Sequence, residues 1–190
     1  MMFIRSERLF LRPAWPEDWD ELFSRINDPR IVRNLSRVPW PYTPEDARAF
    51  VRRAQDRRFP NLMVTLPSGE GSTIVGNVAL MSDRDRVELG YWIALQHWGL
   101  GFATEAVRAM IGVARALGHH KVVAAHCIDN YRSGKVLRKA GFHKTDKPDT
   151  SFEAGRDRPA SVVTYAINLD SVHAGDPEGG DDGTPDRMAA

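Results

Sequence analysis

Trp98-Gly99-Leu100-Gly101-Phe102-Ala103-Thr104-Glu105-Ala106 is the segment from which the rest of this chain is best read. It runs into the strongest helical pattern present: Ala103, Ala106, Val107, Met110, Ile111, Ala114 and Leu117 recur at i, i+3, i+4 spacing, and Gly118 follows as a C-terminal cap. Before it lies Val87-Glu88-Leu89-Gly90-Tyr91-Trp92-Ile93-Ala94-Leu95, which reads as a strand. The segment is therefore a strand, a Gly-x-Gly turn and a helix start. A helix start leaves about four backbone N–H groups without intrahelical partners and carries partial positive charge. Small residues let a phosphate approach that backbone, so the junction predicts a phosphate site. A tight turn that merely needs glycine would use the same letters, but the fit of both flanking elements favours the phosphate reading.

Working outward, Val122 to Cys127 is a nearly continuous apolar run, as in a buried parallel strand. A short helix follows, with Val136, Leu137 and Ala140 on one face and Gly141 ending it, and Val162 to Leu169 is a final strand. Toward the N-terminus, Leu62–Leu66 and Thr73–Met81 join the 87–95 strand through short turns, which predicts an antiparallel meander. Earlier still, Leu9–Arg12 reads as a strand ended by Pro13. Pro16-Glu17-Asp18 opens a helix carrying Trp19, Leu22, Phe23 and Ile26, stopped by Asn27-Asp28-Pro29. Thr43-Pro44-Glu45-Asp46 opens another, striped with Ala47, Phe50, Val51 and Ala54, after the stiff loop Val38-Pro39-Trp40-Pro41-Tyr42. No internal repeat is visible. Residues 170–190 are rich in Gly, Asp and Pro without apolar periodicity, and are expected to be a disordered acidic tail beyond one domain of 1–169.

Composition narrows the function classes. The 190 residues suit one domain, and a net charge of +1 offers no whole-protein field for nucleic acid or an anionic membrane. The arginines at 48, 52, 53, 57 and 58 interleave with Glu45, Asp46 and Asp56, the pattern of a solvated helix face rather than a nucleic-acid site. No apolar run approaches the ~18–20 residues of a membrane span. Arg5, Glu7 and Arg8 interrupt any signal-peptide core. The single Cys127 forbids an intrachain disulfide. A cytoplasmic protein is expected.

The phosphate ligand is narrowed by elimination. No Gly-Lys-Ser/Thr triplet supports a Walker loop. Asp129 ends the next strand where a ribose-binding acid could sit, but Thr104 stands where the dinucleotide fingerprint wants Gly or Ala. Strand–helix–strand units are also too few for a doubly wound sheet, so a dehydrogenase is the weaker alternative. The six histidines show no metal-ligand spacing, and no metal is expected.

On these residues the chain resembles the GNAT superfamily of N-acetyltransferases, and within it the branch of bacterial ribosomal-protein N-terminal acetyltransferases of the RimJ/RimL type. The resemblance runs from Arg8-Leu9-Phe10-Leu11-Arg12-Pro13 to Leu169 and is strongest in Glu88 through Ala106 and Asn130-Tyr131-Arg132-Ser133 through Gly141-Phe142. The superfamily's acetyl-CoA loop, Gln/Arg-x-x-Gly-x-Gly/Ala, places its glycine on Gly101 and its small residue on Ala103. Trp98 then occupies the Gln/Arg position, a departure common in this branch. The register Gln96-x-x-Gly99-x-Gly101 also fits the letters, and the first is preferred because Ala103 opens the apolar stripe.

The resemblance implies an α/β (α+β) fold: a central, mixed, mostly antiparallel sheet of about six or seven strands, flanked by helices. Acetyl-CoA would lie between two splayed strands, one ending near Ile93 and the other Val122 to Cys127. Its pyrophosphate would rest on backbone from Gly99 to Thr104, a stretch that includes Gly101, Phe102 and Ala103, beside Trp98. Backbone near Ile93 would bond the pantetheine arm and polarise the thioester, and the Asn130 amide would bind pantetheine, a role compatible with capping the next helix.

The reaction implied is direct attack of a primary amine on the thioester in a ternary complex, without a covalent enzyme intermediate. Glu88 is the candidate base, on the strand leading to the thioester, with Asp83 and Asp85 as weaker candidates and a plain surface charge as the bland alternative. Ser133 occupies the position this branch uses near the CoA sulfur and can donate a hydrogen bond, with Tyr131 as another donor nearby. Later positions where many members place a tyrosine hold Val136, Leu137 and Arg138. The acceptor expected is a protein or peptide N-terminal amine. A small-molecule amine (polyamine, aminoglycoside or amino acid) and a non-catalytic acetyl-CoA-binding protein are the alternatives. The superfamily varies its acceptor site through the loop near Trp40 and the segment Pro148 to Pro159, neither of which carries a decodable signal, nor does the sequence show an oligomeric state.

Overall fold

A computed structural model describes residues 2–69, 71–83, 85–151 and 160–170. Eight strands form one sheet: β1 (Ile4–Arg5), β2 (Phe10–Arg12), β3 (Asn61–Ser68), β4 (Gly71–Asp83), β5 (Arg86–Ile93), β6 (Lys121–Cys127), β7 (His143–Ser151) and β8 (Ala160–Asn168). Their order across the sheet is β1-β2-β3-β4-β5-β6-β8-β7. Every neighbouring pair is antiparallel except β5 and β6, which run parallel. The sheet is the expected mixed one. Its strands beyond the expected six or seven are the two-residue β1 and β7, whose polar run His143-Lys144-Thr145-Asp146 lacks the apolar alternation that marks a strand.

The helices are α1 (Trp19–Ile26), α2 (Pro29–Val32), α3 (Pro44–Val51), α4 (Phe102–Ala116) and α5 (Tyr131–Lys139). Local chemistry accounts for their starts. Thr43 caps α3 by accepting from the Asp46 N–H at 3.2 Å, and Asp46 returns a bond to the Thr43 N–H at 2.9 Å. Asn27-Asp28-Pro29 ends α1 at Ile26, as the sequence predicts, but it also opens a further turn that the sequence does not predict. Asp28 caps the single turn α2 by accepting from the Arg30 N–H at 2.8 Å, with Pro29 at the first helical position. The same residue pair that stops one helix starts another.

Alternation along the strands separates two apolar layers. Leu62, Val64, Leu80, Leu89 and Val122 face α4 and α5, where they meet Ala106, Val107, Met110, Ala114 and Leu137. Met63, Ile74 and Trp92 face the opposite side, against Leu22 and Ile26 of α1, Ile31 and Val32 of α2, and Ala47 and Val51 of α3. Full burial of each valine, leucine, isoleucine or methionine among them contributes roughly 1.5–3 kcal/mol. The β3–β4 ladder slips once: Thr65 pairs with Ile74 and Val64 with Gly76, so Val75 is an extra residue that bulges β4.

The functional consequence lies at β5 and β6. These strands pair only at Val87–Val122 and Glu88–Val123. Beyond that point β6 stays paired along its other edge with β8 as far as Cys127, while β5 stays paired with β4 as far as Ile93. The two strands therefore diverge, and the sheet opens between their C-terminal halves.

Candidate active site

A cleft of about 930 Å³ occupies this opening and runs from the start of α4 to the loop between α2 and α3. Ten of the residues singled out from the sequence line it: Glu88, Ile93, Trp98, Gly99, Gly101, Phe102, Ala103, Thr104, Asn130 and Ser133.

At one end stands the glycine turn. Gly99 and Gly101 have φ of +81° and +85°, left-handed values that favour residues without a Cβ. Gly101 is the N-terminal cap of α4, and the first helical bond runs from Glu105 N–H to Gly101 O at 3.1 Å. The N–H groups of Phe102, Ala103 and Thr104 thus precede the first intrahelical donor of a fifteen-residue helix. An anchor invisible in sequence holds this turn. The Glu105 carboxylate accepts from the Arg8 N–H at 2.7 Å, the Ser6 hydroxyl at 2.7 Å and the Arg8 guanidinium at 2.9 Å. The same guanidinium donates to Leu100 O at 3.0 Å and lies over the Phe102 ring at 4.6 Å. Burial pushes the Glu105 carboxyl up, but the bonds from the Arg8 backbone, Ser6 and the Arg8 side chain outweigh it and hold the group below its ordinary value.

The middle of the cleft is the open edge of β5. Ala94 N–H donates to Val75 O on β4 at 2.9 Å, and backbone groups alternate sides along a strand, so Tyr91 and Ile93 turn theirs toward the opening. The Ile93 carbonyl accepts from the Trp98 indole N–H at 2.6 Å. Trp98 thus ties the strand end to the glycine turn and occupies the Ile93 carbonyl. The Arg132 guanidinium lies over the Trp98 ring, 5.5 Å from its centre.

Across the opening, Asn130 caps α5, its side-chain oxygen accepting from the Ser133 N–H at 3.3 Å. That leaves the Asn130 amide donors for the cleft. The Ser133 Oγ lies 2.6 Å from the Tyr91 hydroxyl, a pairing across the gap that joins β5 to α5. Burial pushes the Tyr91 phenol up to about 12. His126, also on the cleft wall, donates from Nδ1 to Cys127 O at 2.8 Å, since a carbonyl only accepts. Its Nε2 is buried against Gly134, where a Cβ would stand 2.6 Å away. Cys127 is buried, as its place at the end of an apolar strand predicts.

At the far end the Glu88 carboxylate projects into the cleft and pairs with Arg37 at 3.3 Å. Arg37, Val38, Pro39 and Tyr42 carry the α2–α3 connection along this end, whereas Trp40 is exposed and stands outside the cleft lining. Asp83 pairs with Arg86 in the β4–β5 turn at 3.0 Å, and neither Asp83 nor Asp85 lines the cleft. Residues 152–159, expected to shape the acceptor end, and 171–190 of the expected tail lie outside the described residues. Among the described residues no helix is long and apolar enough to cross a membrane.

Comparison with known proteins gives this geometry a family. Residues 8–143 match the acetyltransferase (GNAT) domain family. The chain is 28% identical over 173 residues to the uncharacterized N-acetyltransferase p20 of Bacillus licheniformis, covering 88% of this chain and 96% of that one. Its fold is similar to that of a GNAT-family acetyltransferase from Bacillus anthracis, with a TM-score of 0.76 and 23% identity over 88% of this chain and 99% of that one. It is also similar to RimL, the ribosomal L7/L12 α-N-protein acetyltransferase solved in complex with coenzyme A, with a TM-score of 0.72 and 17% identity over 90% of this chain and 100% of that one.

Proposed function

The chain belongs to the GNAT acetyltransferase family and is an N-acetyltransferase, and we propose that its acceptor is the α-amine of a protein or peptide. The observation that carries the site assignment is the continuous cleft from the two left-handed glycines, through the opened strand pair, to Glu88. The residues present fit acetyl-CoA. Backbone N–H groups at the start of α4 suit the pyrophosphate, and the narrow gap suits an extended pantetheine arm. The Ile93 N–H and the Asn130 amide suit the arm's carbonyl and amide groups.

The chemistry follows from the groups at the other end. Only a neutral amine attacks a thioester. An α-amine with pKa near 7.7–8.0 is roughly 10% neutral at pH 7, against well under ~0.1% for a lysine with pKa about 10.4. A single ordinary carboxylate is therefore adequate for an α-amine. Glu88 takes the proton, directly or through water, once the incoming ammonium displaces Arg37 from it. The neutral amine forms the C–N bond, the nitrogen of the tetrahedral adduct gives its second proton to solvent, and the adduct collapses with the C–S electron pair leaving on sulfur, which receives a hydrogen bond from Ser133. The α-amine reading is further supported by the similarity to RimL, an α-N-protein acetyltransferase.

A panel of amines tests this: peptides with free N-termini, lysine derivatives, polyamines, aminoglycosides and amino acids, each with acetyl-CoA, followed by release of free CoA. Peptides are expected to give the highest kcat/KM. Turnover confined to small amines would replace the acceptor, and no amine-dependent release from any of them would overturn the enzymatic reading.

A further inference from the structure

We propose that Tyr91 is a positioning residue that aims the Ser133 hydroxyl proton at the departing CoA sulfur. The inference rests on the acetyl-transfer reading above and assigns a task to a side chain that reading leaves idle.

The geometry is a 2.6 Å contact between the Tyr91 hydroxyl and Ser133 Oγ, with Ser133 O a further 3.3 Å acceptor for the same hydroxyl. Tyr91 reaches from β5 and Ser133 from the first turn of α5, so the contact bridges the two walls of the cleft at the height of the opened strands. A hydroxyl has one proton and two lone pairs. The contact fits either hydroxyl as donor; the proposed arrangement is the one in which Tyr91 donates to Ser133 Oγ, so that the serine proton points away from the tyrosine and can be given to a group in the cleft. Without the tyrosine hydroxyl, the serine proton is free to turn back toward a backbone carbonyl of its own helix, as serine commonly does.

The proton does not travel. The Tyr91 phenol, raised to about 12 by burial, and the serine hydroxyl are both far weaker acids than a thiol near 8.5. Transfer from tyrosine to thiolate is opposed by roughly three powers of ten. In the balanced step the amine nitrogen forms its bond to the acetyl carbon, the C–S pair passes to sulfur, and the amine proton leaves through Glu88 and solvent. Both hydroxyl protons stay on oxygen. Ser133 stabilises the thiolate as a hydrogen-bond donor, and Tyr91 orients that donor.

The other titratable and charged groups around the pair are Glu88 on β5, His126 on β6, Tyr165 on β8, and Tyr131, Arg132, Lys135, Arg138 and Lys139 on α5. Tyr91→Phe leaves all of them in place and keeps the ring that packs at this position. A difference between wild type and Tyr91→Phe therefore isolates the hydroxyl.

The test is the titration of the thiol of bound CoA, read from the ultraviolet absorbance of the thiolate, for wild type, Tyr91→Phe, Ser133→Ala and the double variant. It needs no acceptor. In wild type the bound thiol is expected to titrate about one pH unit below free CoA, the effect of one hydrogen bond to a charged group. In the three variants it should return to the value of the free thiol. With an acceptor present, Tyr91→Phe should lower kcat about tenfold at constant KM for acetyl-CoA, and should add nothing to Ser133→Ala. Identical thiol titrations in wild type and Tyr91→Phe overturn the proposal. So does an equal loss of kcat with and without Ser133. A wild-type protein that does not bind CoA would instead overturn the site reading on which the proposal stands.

Discussion

Gly101 is the residue at which the site is most exposed to a simple test. Its φ of +85° costs an L-residue roughly 1–2 kcal/mol, and a Cβ there would meet Arg8 Nη2 at 3.3 Å, the guanidinium that holds the turn. Gly101→Val should fold with reduced stability and bind CoA at least tenfold more weakly by calorimetry; wild-type affinity in a folded variant would remove the turn from the binding site. Glu88→Gln addresses the chemistry. The variant should lose roughly 10²-fold or more in kcat/KM. An unaltered kcat/KM would leave Glu88 as a charge neutralising Arg37. At this scale the sequence was informative wherever the cause was local. Gly99, Gly101 and Asn130 could be placed because turn and cap chemistry depends on near neighbours in the chain. Tyr91 and Arg8 could not, since their partners Ser133 and Glu105 stand 42 and 97 positions away.

Among the elements, the start of α4 depends on a segment far upstream. Glu105 gathers donors from Ser6, Arg8 and Leu9, fixing the N-terminal approach to β2 against the first turn of α4. Its carboxyl titrates below the ordinary value of 4.5 in the folded protein, so its stabilisation is complete above that value and is lost as pH falls through the lower folded value. Glu105→Gln should lower Tm by about 5 °C at pH 7, and the gap should narrow in acid below roughly pH 4 as the wild-type carboxyl takes up its proton. A gap constant from pH 7 to pH 3 would show that the charge is not what anchors the turn. CoA affinity should fall together with Tm, because the same carboxylate steadies Leu100 and Phe102 through Arg8. Elements with strong periodicity or caps, such as α3 and α4, were legible from their own residues. β7 was not, because a polar edge strand is specified by its ladder to β8 rather than by apolar alternation. α2 was hidden because Asp28-Pro29 serves equally well to close a helix or to open one.

The molecule as a whole makes its site from a mismatch between strands. β1 to β5 form one continuous antiparallel half, β6, β8 and β7 the other, and the halves pair at two residue pairs. α4 and α5 pack over the apolar layer on one side of the sheet, and α1 to α3 cover the other. The cleft therefore passes from the helix start that suits phosphate to a loop between helices on the opposite layer, where an acceptor would enter. No single letter of the sequence encodes that opening; it follows from which strands find partners and where pairing stops. The family was legible because the glycine turn and the Asn130–Ser133 segment come together on its two rims. The acceptor was not, because Arg37, Tyr42 and Glu88 meet there only through tertiary structure. The most direct measurement is the position of the acetyl group. Peptides carrying one lysine each, with the N-terminus free or blocked, are incubated with the protein and acetyl-CoA and mapped by mass spectrometry. Acetyl on the α-amine of the free peptides and none on the blocked ones is the predicted result; acetylation confined to lysine, or of neither amine, would contradict it.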